Sequence, residues 1–339
     1  MNKTSITCPE DLISAVPFIL GYSPENSLVV IALKDSGELN YAMRVDFPTA
    51  DEFHDLGQGL ISKMISDNAA SVLIVAYSDD PIASECLMEF VDEIREAGIN
   101  AKELLLIADN NYRSLLCNDL ECCPLNGTPI PDLKNSKIAT ERVFNGDLMP
   151  FDNIEALTNS LKSDNEIVNN GEWIAKVASF SLDFNGDDYD LQLVARANDA
   201  LDLIKNYLKN KEASYELAAK VLGASNDLQL RDFIMGLTTS DTIEALNDLY
   251  SWLLTIAPKG YLAPIGSVLS SIAYELGNGA RANKILERVF EDQDEFPLGK
   301  LLKRVYSAGW EPTALALMRA ELHPKVCATI YGEGEVRAL

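Results

Sequence analysis

The chain is poor in positive charge and nearly lacks histidine. Of 339 residues, 28 are Lys or Arg, 52 are Asp or Glu and only 2 are His, for a formal net charge of −24. The deficit is spread along the chain: residues 1–135 carry 8 basic and 22 acidic residues, and the remainder 20 and 30. Phosphate backbones are bound through basic faces, so nucleic acid is excluded as a partner. An anionic membrane surface would repel the chain as well. The charge itself reads as a solubility device. With only His54 and His323 available, a histidine-based triad has little to work with, and each histidine reads as a surface residue. A P-loop, a GxGxxG and a GxSxG are all missing, which removes the common nucleotide and serine-hydrolase signatures. Long apolar runs are missing too. Leu12–Tyr22 is too short to span a bilayer, contains Pro17, and follows Glu10 and Asp11 where an export signal needs positive charge. The expected location is therefore cytoplasmic. There the six cysteines, including the adjacent Cys122 and Cys123, are expected as thiols or metal ligands, not as a disulfide framework.

What is present is ample apolar material. Hydrophobic residues make up 47% of the chain, enough for sizeable cores. Its length suggests two domains, which the pattern places at 1–135 and 136–339. The first reads as α/β. A helix from about Pro9 stops at Gly21, and Ser23-Pro24-Glu25-Asn26 forms a turn. Leu28–Leu33 is a buried strand. A hairpin signal at Asp35-Ser36-Gly37 leads into Leu39–Phe47, whose odd positions (Tyr41, Met43, Val45) form an apolar face and whose even positions carry Arg44 and Asp46. Thr49 with Glu52 makes a capping box for the next helix. Ser71–Tyr77 and Glu103–Asp109 are further buried strands, separated by a helix beginning at Asp80-Pro81. Strands alternating with helices predict a mainly parallel sheet with flanking helices. Tyr112–Cys117 is a possible edge strand, and Asp119–Asp132 a loop. After Lys134 helical periodicity takes over through Leu322, and an all-α domain is expected. Trp173, Trp252 and Trp310 are expected to pack within it.

Two stretches are distinctive in order and spacing. One runs Pro9-Glu10-Asp11-Leu12 through Pro17-Phe18-Ile19-Leu20-Gly21-Tyr22-Ser23-Pro24-Glu25-Asn26-Ser27-Leu28-Val29-Val30, followed by Arg44-Val45-Asp46-Phe47-Pro48. The other joins Tyr112-Arg113-Ser114-Leu115-Leu116-Cys117 to Cys122-Cys123-Pro124 and Gly127-Thr128-Pro129. With Gly277-Asn278-Gly279-Ala280-Arg281-Ala282-Asn283, these resemble an uncharacterised actinobacterial family, domain of unknown function 4192. An Asp is expected where Asn278 stands. The resemblance implies one coherent bacterial cytoplasmic protein and no particular activity.

Two clusters could carry chemistry. Open α/β sheets bind ligands at the carboxyl ends of parallel strands. Those ends carry Asp46, Ser78 with Asp79, and Asp109, with Arg44 and Arg113 close in sequence. The acids could hold magnesium and the arginines an anionic ligand; equally, the acids could cap helices and Arg44 could simply pair with Asp46. Cys117, Cys122 and Cys123 could bind zinc, with Cys8, His323 or Cys327 as a fourth ligand, or remain free thiols. The expected function is a non-enzymatic binding or regulatory protein whose helical half engages a protein partner. The alternative is a small-ligand protein, or a magnesium-dependent enzyme acting on an anionic substrate at the strand-end edge.

Overall fold

The structure is a computed structural model, and residues 5–337 are described. The chain divides into two compact units, Met1–Ile154 and Glu155–Leu339. The first contains α1 (Pro9–Leu20), β1 (Ser27–Leu33), β2 (Leu39–Asp46), α2 (Ala50–Ser66), β3 (Ser71–Tyr77), α3 (Ala83–Glu96), β4 (Asn100–Ala108), β5 (Asn111–Ser114), β6 (Thr128–Pro129) and α4 (Lys137–Phe144). Local chemistry sets several boundaries. The Glu52 carboxylate accepts from the Thr49 N–H and hydroxyl at the start of α2. Gly21, at φ 83°, closes α1 by donating its N–H to the Pro17 carbonyl.

The six strands lie in the order β2-β1-β3-β4-β5-β6. The sheet is mixed, which corrects the expectation of a mainly parallel one. Only β3 and β4 pair in parallel; every other neighbouring pair is antiparallel. The hairpin at Asp35-Ser36-Gly37 reverses the chain, so β1 opposes β2. Helix α2 then carries the chain across β1 to its far side, where β3 is laid down. β2 and β3 therefore run the same way without touching. Helix-separated strands predicted direction correctly and adjacency wrongly.

Strand alternation divides the sheet into two faces. Leu28, Val30, Ile74, Ala76, Leu104 and Leu106 form one core with Phe53 and Met64 of α2 and Leu87 and Phe90 of α3. Each fully buried side chain of this size contributes roughly 1.5–3 kcal/mol. Tyr41, Met43 and Val45 pack against the same core, as their alternation predicted. The opposite face meets α1: Tyr112, the cross-strand neighbour of Ile107, donates its hydroxyl hydrogen to Glu10. Helix α4 packs on α1, so the break falls after Ile154 and not after Asn135 as the sequence suggested.

The second unit is helical, with no strand among its described residues. It comprises α5 (Ile154–Asn159), α6 (Asn165–Val168), α7 (Gly171–Ala178), α8 (Tyr189–Asn210), α9 (Tyr215–Ala224), α10 (Leu228–Gly236), α11 (Ile243–Ile256), α12 (Leu262–Glu275), α13 (Gly279–Asp292), α14 (Pro297–Ser307) and α15 (Pro312–Tyr331). Helix α12 is buried on every side from Leu262 to Ala273 and forms the centre. Its serines Ser267 and Ser271 satisfy themselves on its own carbonyls, and Ser270 donates to Ala282. Helix α15 continues through Pro324, where the sequence suggested an end at Leu322. Its buried stripe of Leu315, Arg319, His323, Cys327 and Ile330 recurs at helical spacing, and this burial outweighs the one backbone hydrogen bond a proline removes. His323 is thus buried and not a surface residue, stacked on Phe233 at 5.6 Å. His54 does lie at the surface, 2.9 Å from Glu93. Trp310 is 48% exposed, contrary to the expected packing role. No helix among the described residues is long and apolar enough to cross a membrane.

Candidate functional site

Register decides what meets at the sheet's edge. Ser27 lies opposite both Asp46 and Tyr77, and Tyr77 lies beside Ile107. The carboxyl ends of β2, β3 and β4 therefore share one edge with the amino end of β1. Asp46 ends β2, Asp79 follows β3, and Asp109 opens the turn after β4. Asp109 and Asn110 both take positive φ, 47° and 64°, giving the tight turn a two-residue hairpin needs between β4 and β5. The Asp79 carboxylate accepts from the Asp109 N–H at 2.9 Å and ties the two strand ends together.

The two candidate arginines are separated by strand parity. Arg44 lies opposite Val29 on the α1 face; it bonds Asp46 at 2.6 Å and donates to the Ser27 hydroxyl at 2.9 Å. Arg113 lies opposite Leu106 on the α2–α3 face and donates to the Ser84 hydroxyl at 3.0 Å. They do not converge.

At this edge lies a cleft of about 440 Å³. Its walls come from α1 (Ile13, Ser14, Pro17), the turn Pro24-Glu25-Asn26, the strand ends Tyr77 to Asp79 and Ile107 to Asn110, and the segment Ile130-Pro131. Among the described residues, the lining carries three carboxylates, Glu25, Asp79 and Asp109, and no Lys, Arg or His. Asp46, Arg44 and Arg113 lie outside it. Pro17 has no N–H, so the Ile13 carbonyl four residues earlier has no α-helical donor. Burial pushes the Tyr77 phenol well above its ordinary range, so it stays neutral. Ile13, Pro17, Ile107, Ile130 and Pro131 add apolar surface beside the hydroxyls and amides of Ser14, Ser23, Ser78, Asn26 and Asn110. The cleft thus offers acceptors and apolar surface with negative charge.

The loop between β5 and β6 brings together the second predicted cluster. The sulfurs of Cys117, Cys122 and Cys123 all lie within 4.8 Å of one another, and all are free thiols. Burial and a hydrogen bond with the Cys117 thiol push Cys123 up to about 11, against a smaller opposing effect of the Ser114 N–H. Of the suggested fourth ligands, His323 and Cys327 lie in the second unit and face each other at 3.5 Å. Cys8 precedes α1, and burial raises its thiol.

The family described as domain of unknown function (DUF4192) matches residues 9–313. The chain belongs to that family. The match crosses the division after Ile154, so both units are part of the DUF4192 architecture. No curated protein and no solved structure matches this chain. For a DUF4192 protein with these features, sequence reading missed Glu25, Asn110 and Tyr77 as cleft residues. The signals were present: Ser23-Pro24-Glu25-Asn26 was recognisable as a turn, and Asp109-Asn110 is a pair that tolerates positive φ. What sequence lacked was the fact that both turns open on one edge.

Proposed function

We propose that this DUF4192 protein is a binding protein whose first unit holds a small cationic, hydrogen-bond-donating molecule with an apolar portion. The observation that carries this reading is the strand-end cleft, with three carboxylates and no cationic side chain among the described residues that line it. An anionic ligand would meet like charge there, because Arg44 and Arg113 lie outside the lining. An amine would gain charge-assisted hydrogen bonds from Glu25, Asp79 and Asp109 in a site partly shielded from water. The six free thiols support a cytoplasmic location, where thiols stay reduced.

The test is a thermal-shift and calorimetric comparison of small mono- and diamines with phosphate esters and magnesium. Amines at 100 times their Kd should stabilise the protein by about 2.7 kcal/mol, while phosphate esters leave it unchanged. Binding of phosphate esters, or of magnesium alone, would replace this reading with that of an anion or metal edge.

A second reading, that the helical unit engages a protein partner, has its own support. Trp173, Tyr215 and Trp252 stack edge to face at 5.7 and 5.2 Å, and Trp173 and Tyr215 line a shallow cleft bordered by Glu166, Glu172 and Lys176. Aromatic anchors beside acids suit a basic peptide. Weakened capture of basic peptides by Tyr215→Ala, with helicity preserved, would support it; unchanged capture would count against it.

A further inference from the structure

We propose that Cys117, Cys122 and Cys123 bind one zinc ion, with the fourth coordination position left to an exogenous ligand. The proposal is independent of the cleft. Its first support is geometry: three sulfurs from one loop lie within 4.8 Å of each other. Tetrahedral zinc, with Zn–S bonds of about 2.3 Å, holds its sulfurs slightly under 4 Å apart, so a small closure completes the set.

The loop is built to present these sulfurs. The Cys123 N–H donates to the Asp119 carbonyl at 2.7 Å, and the Asp119 carboxylate accepts from the Glu121 N–H at 2.9 Å. This tight turn folds the adjacent Cys122 and Cys123 back over Cys117. Both ends of the loop are pinned to the sheet. The Leu115 N–H donates to Leu104 at 2.9 Å. At the other end Gly127, at φ 71°, approaches β5 so closely that a Cβ would lie 2.9 Å from that of Asn111 and 3.0 Å from the Tyr112 carbonyl.

Apolar packing does not account for the loop's shape, since Leu120 and Leu125 are 62% and 72% exposed. Small irregular segments without a core are commonly held by metal ions or disulfides, and these cysteines are unpaired. Three soft sulfur donors and no hard oxygen donor select zinc over magnesium or calcium. Among the described residues no fourth thiol, imidazole or carboxylate joins the group within that distance. Three protein ligands with a vacant fourth position is the arrangement of zinc sites that keep an exchangeable ligand. Cys122 is exposed, so the cluster can be reached from solvent.

The experiment uses the full-length protein without a histidine tag. Elemental analysis of protein purified with its thiols reduced should give about one zinc per chain. Cobalt titration should develop thiolate-to-cobalt charge-transfer absorption that saturates at one equivalent. Added imidazole or cyanide should then shift the cobalt bands. Cys117→Ser and Cys123→Ser should weaken metal binding by tenfold or more, with Cys86→Ser unchanged. The wild-type titration keeps the proposal testable even if a variant misfolds. Reduced thiols that take up neither zinc nor cobalt, or a disulfide among the three on mass mapping, would overturn it. Cobalt bands that ignore added ligand and are lost in Cys8→Ser would overturn the open position, showing a closed four-sulfur site instead.

Discussion

The two units handle polar chemistry in opposite ways. In the first, carboxylates and thiols gather where regular structure stops, at the strand ends and in the β5–β6 loop. In the second, polar groups are drawn inside, some into buried ion pairs and others, such as the Tyr250 hydroxyl and His323 Nδ1, without a hydrogen-bond partner. Arg319 and Glu275 form a two-pronged ion pair at 3.1 and 2.6 Å, with side chains only 6% and 4% exposed, and Arg319 also donates to the Thr238 carbonyl. A sheet leaves its strand ends and turns projecting at an edge, so groups placed there can converge on a ligand. Packed helices that surround a buried α12 turn such groups inward and leave at the surface the open cleft beside Trp173 and Tyr215.

The largest expected effect tests the internal use of charge. Arg319→Leu leaves Glu275 buried and unpaired, and should destabilise the second unit by about 3–5 kcal/mol. All three tryptophans, Trp173, Trp252 and Trp310, lie in that unit, so its unfolding can be followed by tryptophan fluorescence in urea. Adding Glu275→Leu should recover most of the loss. A mild effect of Arg319→Leu alone would break the contrast drawn between the units.

Next comes backbone approach. A Cβ on Gly236 would overlap the His323 ring, which is buried against Phe233. Gly236→Ala should cost about 1–3 kcal/mol through this overpacking, read by the same fluorescence transition. Wild-type stability in that variant would mean that α10 and α15 pack less tightly than they are placed.

The cleft should respond in the opposite sense. Asp79→Asn keeps an acceptor for the Asp109 N–H and removes one charge. It should change stability by less than about 0.5 kcal/mol while weakening amine binding about tenfold. A large loss of stability with unchanged binding would make Asp79 a structural group.

The smallest effect concerns acid. The hydrogen bond from Tyr112 holds Glu10 below its ordinary value. For Asp11, burial would raise the value, but hydrogen bonds from the Thr7 hydroxyl and N–H outweigh it and bring the net shift down. A carboxylate depressed in the folded state contributes stability that is complete above its unfolded value. Here those values are 4.5 and 3.8, and the contribution fades as pH falls through the lower folded values. Glu10→Gln should flatten the acid limb of far-ultraviolet circular dichroism without moving the tryptophan transition at the same pH. An acid limb as steep as wild type would show that Glu10 is not part of it.

Much of the first unit was legible because its signals are local. The Thr49–Glu52 capping box, the Gly21 stop and the alternation through Tyr41, Met43 and Val45 each depend on residues a few positions apart. The three-thiol cluster was legible for the same reason, since its members span only one loop. Pro324 misled because a helix-breaking side chain is a local signal, while the burial of Arg319, His323 and Cys327 that overrides it is not.

By itself the sequence determined the composition of both units, the position of most strands and helices, and the gathering of acids at strand ends. Each of these follows from short-range periodicity and turn chemistry. Only the tertiary structure decided the mixed order of the sheet, because α2 passes over β1 before β3 is laid down. It also decided the charge of the cleft. Strand pairing sends Arg44 to one face and Arg113 to the other, while the turns at Glu25 and Asp109 open side by side. Which residues share an edge depends on register between strands far apart in the chain, and no local pattern encodes it.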